Sequence, residues 1–445
     1  MKKIYPVFFL ALLLANCQMI ETPGVIDLDA QLETVILEAS GGEGIEAFLL
    51  PESHDFSRIP QDPLNPLTAE KVALGQRLFH EPKMGIFPKK TEGLYTYSCA
   101  SCHHAAAGFQ ACLQQGLGEG GLGFGLAGER RKPSADYDPA NIDRQPIRTP
   151  SALNIAFQEV VLWNGQFGGS GMNLGTEAAW ASGTPIEKNH LGYEGTETQA
   201  IAGLDVHRMG VDSIIKIQEY KDFFDQAFSD VPEIDRYSKE TAGLAMAAYE
   251  RTLLSNEAPF QRWLKGEAGA MDAISKRGAM LFFGKAGCVS CHKGPALNDM
   301  SFHALGMADL NGDGIYIENQ DNNTANLGRG GFTGRSEDMY KFKVPQLYNL
   351  VNSPFFGHGG TFNSVREVVE YKNRAFPENS NVPLNQLSPE FVPLELSEIE
   401  ITHLTYFIEH ALKDPSLDRY NPNYLPSGVC FPNNDIISKR DMGCN

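Results

Sequence analysis

Two short segments of this chain carry the same chemical pattern. Ser98-Cys99-Ala100-Ser101-Cys102-His103 and Gly287-Cys288-Val289-Ser290-Cys291-His292 both contain C-x-x-C-H. Thiols at that spacing on one helical turn reach the two vinyl groups of a porphyrin together, and the next residue projects its imidazole at the iron. A zinc site would need four ligands, and a thioredoxin-like dithiol would need a βαβ context. Neither explains a His directly after both pairs. The pattern predicts two covalently bound haem c groups, with His103 and His292 as the axial ligands. The sixth position of each iron then decides its work: two strong protein ligands make an electron shuttle, and an open side admits peroxide or oxygen.

The elements that must position these segments are helical. Thr68 is placed to cap a helix over 69–80, with Val72, Leu74, Leu78 and Phe79 on its apolar face. A helical stretch runs from Ser238 to Leu254, another from Asp272 to Phe283, and a third follows the capping box Ser397-Glu398-Ile399-Glu400 to Leu412. The helices before the two haem segments both end in Leu-Phe (Leu78-Phe79 and Leu281-Phe282), which reads as an internal duplication of a cytochrome-like unit. Between them lies a Gly-rich stretch, 113–150. It lacks the GK[ST] ending of a phosphate loop and reads as a flexible surface loop, or as backbone able to approach a porphyrin. The 44 Gly and 26 Pro of the chain demand long loops. The expected class is mainly α: two cytochrome c-like haem domains with long irregular loops.

The 445 residues carry 37 Lys+Arg against 55 Asp+Glu, a formal charge of −18. A surface that acidic excludes nucleic acid and anionic lipid as the main partner. Lys2 and Lys3, the apolar run Val7 to Ala15, and Cys17 read as an export signal over 1–17 of the lipoprotein type, a plain secretory signal being the alternative. The protein is expected to be exported, as a periplasmic or outer-membrane lipoprotein that meets the membrane only through a lipid anchor. The expected division is a signal at 1–17, an extension at 18–66, an N-terminal haem domain at 67–265 and a C-terminal haem domain with its tail at 266–445. Cys430 and Cys444 bracket a short C-terminal loop and suit a disulfide in an oxidising compartment, which leaves Cys112 as a thiol. The run Asp309-x-Asn311-x-Asp313-Gly314 matches the start of a calcium loop; its twelfth position is Gln320, so Glu318 or Asp321 would have to complete it, and a polar turn is the alternative.

Four blocks resemble the bacterial di-haem cytochrome c peroxidase and MauG superfamily, in the family's order and across nearly all of 67–412. They are Leu74-Gly75 to Phe79 with CASCH; TPSALN at 149–154 with Leu162-Trp163-Asn164-Gly165; AAYERTLLSNEAPFQRWLKG with GCVSCHKGPALND; and FKVPQLYNLVNSPFFGHGGTFNSVREVVEYKN. The resemblance implies a C-terminal haem that takes electrons from a small cytochrome c or cupredoxin and feeds an N-terminal haem where hydrogen peroxide reacts. It places Trp163 between the haems. This chain departs from the family's pattern at several positions. No His follows the first motif in GFQACLQQGLGEGGLGFG to block the iron, so the first haem is expected to be open, as in the MauG branch. The family's distal Gln falls on Gln199, but its Glu is replaced in QAIAGLDVHRM, which points to His207 as a proton carrier and Arg208 as a charge stabiliser for the leaving oxygen. The sixth ligand of the second iron falls on Lys372, with Tyr371 beside it; register favours the first and chemistry the second. The Asn of the family's interdomain calcium site is Arg148 here. The implied activity is peroxide reduction. The alternatives are a MauG-like oxidation of a partner protein, or a plain electron carrier.

Overall fold

The computed structural model describes residues 27–318 and 323–444. Cys17 and the expected signal lie outside the described residues, as do Gln320 and Asp321. The architecture is mainly helical, as expected, and its ladders among the described residues are two short antiparallel pairs. Eight helices position the site: α1 (Leu28–Ala39), α2 (Ala69–Phe79), α3 (Gly195–Val206), α4 (Lys239–Arg251), α5 (Ala273–Phe283), α6 (Val365–Arg374), α7 (Glu398–Tyr406) and α8 (Ile436–Met442). One ladder pairs β1 (Gly121–Leu122) with β2 (Lys132–Pro133). The other pairs β3 (Phe302–His303) with β4 (Phe342–Lys343), in the register Phe302 to Lys343 and His303 to Phe342.

The helices start where short polar side chains satisfy the free N–H groups of the first turn. Thr68 accepts from Lys71 N at 3.2 Å and Asp272 from Ser275 N at 2.7 Å. Ser397 N donates to Glu400 Oε2 at 2.8 Å, closing the expected capping box. That last helix does not stay α-helical to Leu412; it passes at Phe407–Ala411 into a single π turn.

In each half two helices cross at a glycine. A Cβ at Gly75 of α2 would overlap the carbonyl of Ala245 on α4, and one at Gly278 of α5 would overlap that of His403 on α7. Each glycine lies four residues before a phenylalanine of the Leu-Phe pairs, so close crossing fixes where Phe79 and Phe282 stand. Phe79 meets the His103 ring edge-on at 6.5 Å, and Phe282 lies 6.4 Å from the His292 ring. The duplication legible in the sequence is thus a duplication of packing.

Two large hydrophobic cores result, and each draws in residues from the other end of the chain. The first gathers Leu74, Leu78, Phe79, Ile201, Ala245 and Tyr249, and is completed by Leu417 and Tyr420 of the tail. The second gathers Phe282, Val369, Leu404 and Phe407, and is completed by Leu32, Ile36 and Phe48 from the N-terminal side. The expected extension at 18–66 packs on the second core over its described part. Its helix α1 lays Leu32 and Ile36, four residues apart, onto the second core.

The tail returns to the first half and covers the first haem segment. Ser98 Oγ donates to Pro432 O at 2.8 Å, Ser101 donates to Asn433, and Asn434 N donates to Thr96 O at 3.1 Å. The Cys430–Cys444 disulfide closes this tail, and Cys112 stays a free, half-buried thiol. The Gly-rich stretch is an ordered wrap around the buried Arg131, whose guanidinium donates to Leu117 O at 2.6 Å and Gly118 O at 2.7 Å. Among the described residues no helix is long and apolar enough to cross a membrane.

Candidate active site

One cavity runs through the molecule, and both C-x-x-C-H segments line it. The histidines of the two segments are held in the same way. His103 Nδ1 lies 3.1 Å from Phe109 O and His292 Nδ1 lies 2.9 Å from Leu297 O. A carbonyl only accepts, so Nδ1 carries the proton in both rings and Nε2 keeps its lone pair. Burial pushes both imidazoles down to about 4, which keeps them neutral and able to ligate. Cys99, Cys102, Cys288 and Cys291 are free thiols on the cavity wall.

The His103 lobe is closed on another side by α3. Gln199, Gly203 and His207 follow at steps of four, so they share one helix face, and all three line the cavity. His207 ends the helix. Its Nδ1 lies 2.7 Å from Asp143 Oδ2. Burial works against its charged form, but the Asp143 carboxylate outweighs burial and raises its pKa; in the same pair Asp143 is lowered against its own burial. The Asp143 backbone is held by Gly118 N donating to its carbonyl at 2.9 Å and by its own N–H donating to Glu119 O at 2.9 Å.

Arg208 does not join this group. Its φ of +57° turns the chain at the helix end, and its guanidinium pairs with the buried Glu119, Nε to Oε2 at 3.0 Å, and donates to Asn141 O at 3.2 Å. The charge stabiliser expected there is a structural cation behind the pocket. Sequence reasoning missed Asp143, which stands 64 residues from His207. It also missed Glu250 of α4, a buried carboxyl on the cavity wall whose Oε2 has no hydrogen-bond partner among the described residues and which burial raises to about 8. The only sequence signal for Glu250 is its place in the AAYERTLL block.

In the His292 lobe, α6 separates the two candidate ligands. Lys372 lines the cavity, and burial lowers its pKa, which favours the neutral amine that can bind a metal. Tyr371 turns away. Its hydroxyl donates to Leu305 O at 2.5 Å and its ring packs between Phe362 and Phe391. Tyr371 is thus removed from the ligand set by one step of helix register. Met307 and His303 also line this lobe.

Trp163 lines the cavity, its Nε1 donates to Arg148 O at 2.9 Å, and its ring meets His358 edge-on at 6.5 Å. His358 in turn stacks on Phe342 at 3.7 Å. Lys343 N donates to Trp163 O at 2.7 Å, so strand β4 and the Trp segment hold each other. Asp309 is taken up by this arrangement: its Oδ1 lies 3.1 Å from His358 Nε2 and its Oδ2 accepts from Asn379 at 3.0 Å. Asn311 turns its amide to Asp309 O, and Asp313 is exposed. The expected calcium loop is therefore a polar turn over its described part, and among the described residues no group of three His, Cys, Asp or Glu converges to hold a metal ion.

The residues fit two haems. Both lobes offer a thiol pair beside an imidazole with a free Nε2, among apolar walls. Gly116 keeps the wall open beside the first segment, where a Cβ would stand 3.0 Å from Cys102 Sγ. Two buried basic side chains on the cavity wall have no carboxylate partner among the described residues. Arg148 donates to Gln110 Oε1 at 2.7 Å and Ser353 Oγ at 2.9 Å, and Lys343 donates to Gln158 Oε1 at 2.6 Å. Burial lowers them to about 10 and about 7. Haem carboxylates are the anions such groups suit. Arg148 would hold its charge where the family's calcium ligand is expected.

Comparison with known proteins agrees with this geometry. A family model described as di-haem cytochrome c peroxidase matches residues 69–269. The methylamine utilization protein MauG of Methylorubrum extorquens is 30% identical over 375 residues, covering 83% of this chain and 84% of that protein. The cytochrome-c peroxidase IdrP1 of a Pseudomonas species is 28% identical over 372 residues, covering 79% and 82%. Among solved structures, a MauG-like protein associated with microbial copper homeostasis shares the fold with a TM-score of 0.56 at 21% identity, over 83% of this chain and 95% of that one. With two haem-attachment segments on one cavity and these relatives along most of its length, the chain belongs to the di-haem cytochrome c peroxidase and MauG family of oxidoreductases.

Proposed function

We propose that this protein reduces hydrogen peroxide in the His103 lobe, with electrons that arrive from a small cytochrome c or cupredoxin through the His292 lobe and Trp163. The observation that carries this reading is the α3 face. It sets Gln199 and His207 on the cavity wall of the His103 lobe, with Gly203 leaving room between them. A haem bound there supplies the iron and the redox chemistry. The protein's part is to move protons and exclude wrong ligands. His207 takes a proton at Nε2 from one peroxide oxygen and returns it to the other, which leaves as water; the Gln199 amide donates a hydrogen bond to that oxygen. Overall, one peroxide, two electrons and two protons become two waters. Lys372 would hold the haem of the His292 lobe through its neutral amine and keep peroxide from it, which would leave that lobe to carry electrons. The Cys430–Cys444 disulfide supports an oxidising compartment outside the cytoplasm.

The test is His207→Ala in the fully haem-loaded protein. Its reaction with peroxide should slow by roughly 10²-fold or more, as for a lost acid–base group, with haem content unchanged. A rate equal to the wild type would remove His207 from the reaction.

A MauG-like oxidation of a partner protein is the second reading. It is favoured by Lys372 in place of a Met and by relatives that bear the MauG name. Rapid turnover of the wild type with reduced cytochrome c and peroxide supports the first reading, and failure of that turnover with an intact peroxide reaction supports the second.

A further inference from the structure

Resting on the reading of His207 given above, we propose that Asp143 is the positioning residue of the peroxide site: it holds His207 with Nδ1–H on its carboxylate, so that the lone pair of Nε2 faces the cavity. Three observations meet at this pair. Asp143 Oδ2 and His207 Nδ1 are 2.7 Å apart, and both residues line the cavity. The Asp143 side chain is 6% exposed, so water competes little for the carboxylate. The Gly-rich wrap is shaped around it, since a Cβ at Gly118 would overlap Oδ2 and reach Asp143 Cγ at 3.0 Å. The wrap thus delivers a carboxylate to His207 at the end of α3, where the helix's own Asp205 pairs with Lys188 and Lys239 instead.

The chemistry follows from the tautomer. An imidazole free to choose can present Nε2–H to peroxide, and that form cannot accept the first proton. A carboxylate accepts only, so it fixes the proton on Nδ1 and leaves Nε2 as the base. When Nε2 takes the peroxide proton, the ring becomes a cation and the same carboxylate stabilises it. The proton then passes to the leaving oxygen and the ring returns to neutral. Other charged groups around the pair belong to its setting. Arg208 and the Glu119 it pairs with lie behind, Arg131 lies under Asp143, and His103 shares the lobe. Tyr97 donates its hydroxyl to His207 O at 2.8 Å and so fixes the backbone but not the ring.

The experiment compares Asp143→Asn, Asp143→Glu and His207→Ala with the wild type, all as haem-loaded proteins, by stopped-flow mixing with hydrogen peroxide across pH. A second readout is the rate of cyanide binding, because hydrogen cyanide must also give up a proton as it binds. Asp143→Asn should slow both reactions by on the order of tenfold or more, since its amide can donate to Nδ1 and favour the wrong tautomer. The pH at which the peroxide rate changes should move down, because the carboxylate that favours the imidazolium is gone. Asp143→Glu should restore part of the rate. The double variant with His207→Ala should be no slower than His207→Ala alone. If His207→Ala is slow while Asp143→Asn keeps the wild-type rate and pH profile, the role of Asp143 is overturned and that of His207 stands. If His207→Ala itself keeps the wild-type rate, the reading beneath both has failed.

Discussion

A histidine can serve in either of two ways in a haem pocket, as a ligand or as a base, and its neighbours decide which. His103 and His292 give Nδ1 to a backbone carbonyl, whereas His207 gives Nδ1 to a carboxylate. The ligands were legible in the sequence because the attachment chemistry writes both Cys and His into five consecutive residues. His207 was legible as the residue near the position of a missing Glu. Its partner Asp143 was not, because no local pattern ties residues 64 positions apart. Arg208 and Tyr371 show the opposite failure: each has a suitable chemical type, but backbone direction at a helix end and one step of register turn them away from the cavity. Glu250 gives a pH prediction at this scale. Burial raises it from its ordinary 4.5 to about 8, with Glu197 adding to the rise and Arg251 opposing it. The folded state therefore holds a proton that the unfolded chain releases, and stability should fall as pH rises between those values. Glu250→Gln should remove that slope. It should match the wild type near pH 4.5 and exceed it above pH 8 by on the order of a few kcal/mol in chemical denaturation. An unchanged slope in the variant would show that Glu250 ionises normally.

At the scale of elements, sequence reasoning did best where structure is local. The caps at Thr68 and Ser397 and the helix starts at Ser238 and Asp272 place α2, α4, α5 and α7 within a residue or two at their starts. The Gly-rich wrap could not be read that way. Its order comes from the buried Arg131 and from Asp435, which pairs with that arginine at 3.5 Å from 304 residues away. The two glycine crossings matter most for positioning, because they set the phenylalanines that pack on the axial histidines. Gly278→Ala should push α5 away from α7, with no flexible side chain to absorb the overlap with the His403 carbonyl. A loss of about 1–3 kcal/mol is expected from overpacking. The spectrum of the His292 haem should change while that of the His103 haem stays as it was. Wild-type thermal stability in Gly278→Ala would mean that the crossing is looser than the structure shows.

At the scale of the whole molecule, the chain builds two similar haem units and then ties each with the other's end of the chain. Helix α1 completes the second core, and the disulfide-closed tail covers the first haem segment. The duplication was visible in the repeated motifs, but this exchange of ends was not, since only long-range packing decides where a short amphipathic helix or a Pro-rich tail comes to rest. What the two units do differently is set by what faces each axial histidine. Lys372 faces the His292 lobe as a candidate ligand, and Gln199 and His207 face the His103 lobe as the proposed proton-handling groups. Trp163 lines the same cavity and is the proposed relay between them. The account therefore needs the two irons to be unequal at rest, with His207 beside the first and not bound to it. Electron paramagnetic resonance of the oxidised, haem-loaded protein tests this without mutation. An open first site beside a closed second one should give one high-spin and one low-spin ferric haem in equal amounts, with the high-spin signal alone lost on adding peroxide; two low-spin haems would make His207 or another side chain a sixth ligand and would rule out an open peroxide site.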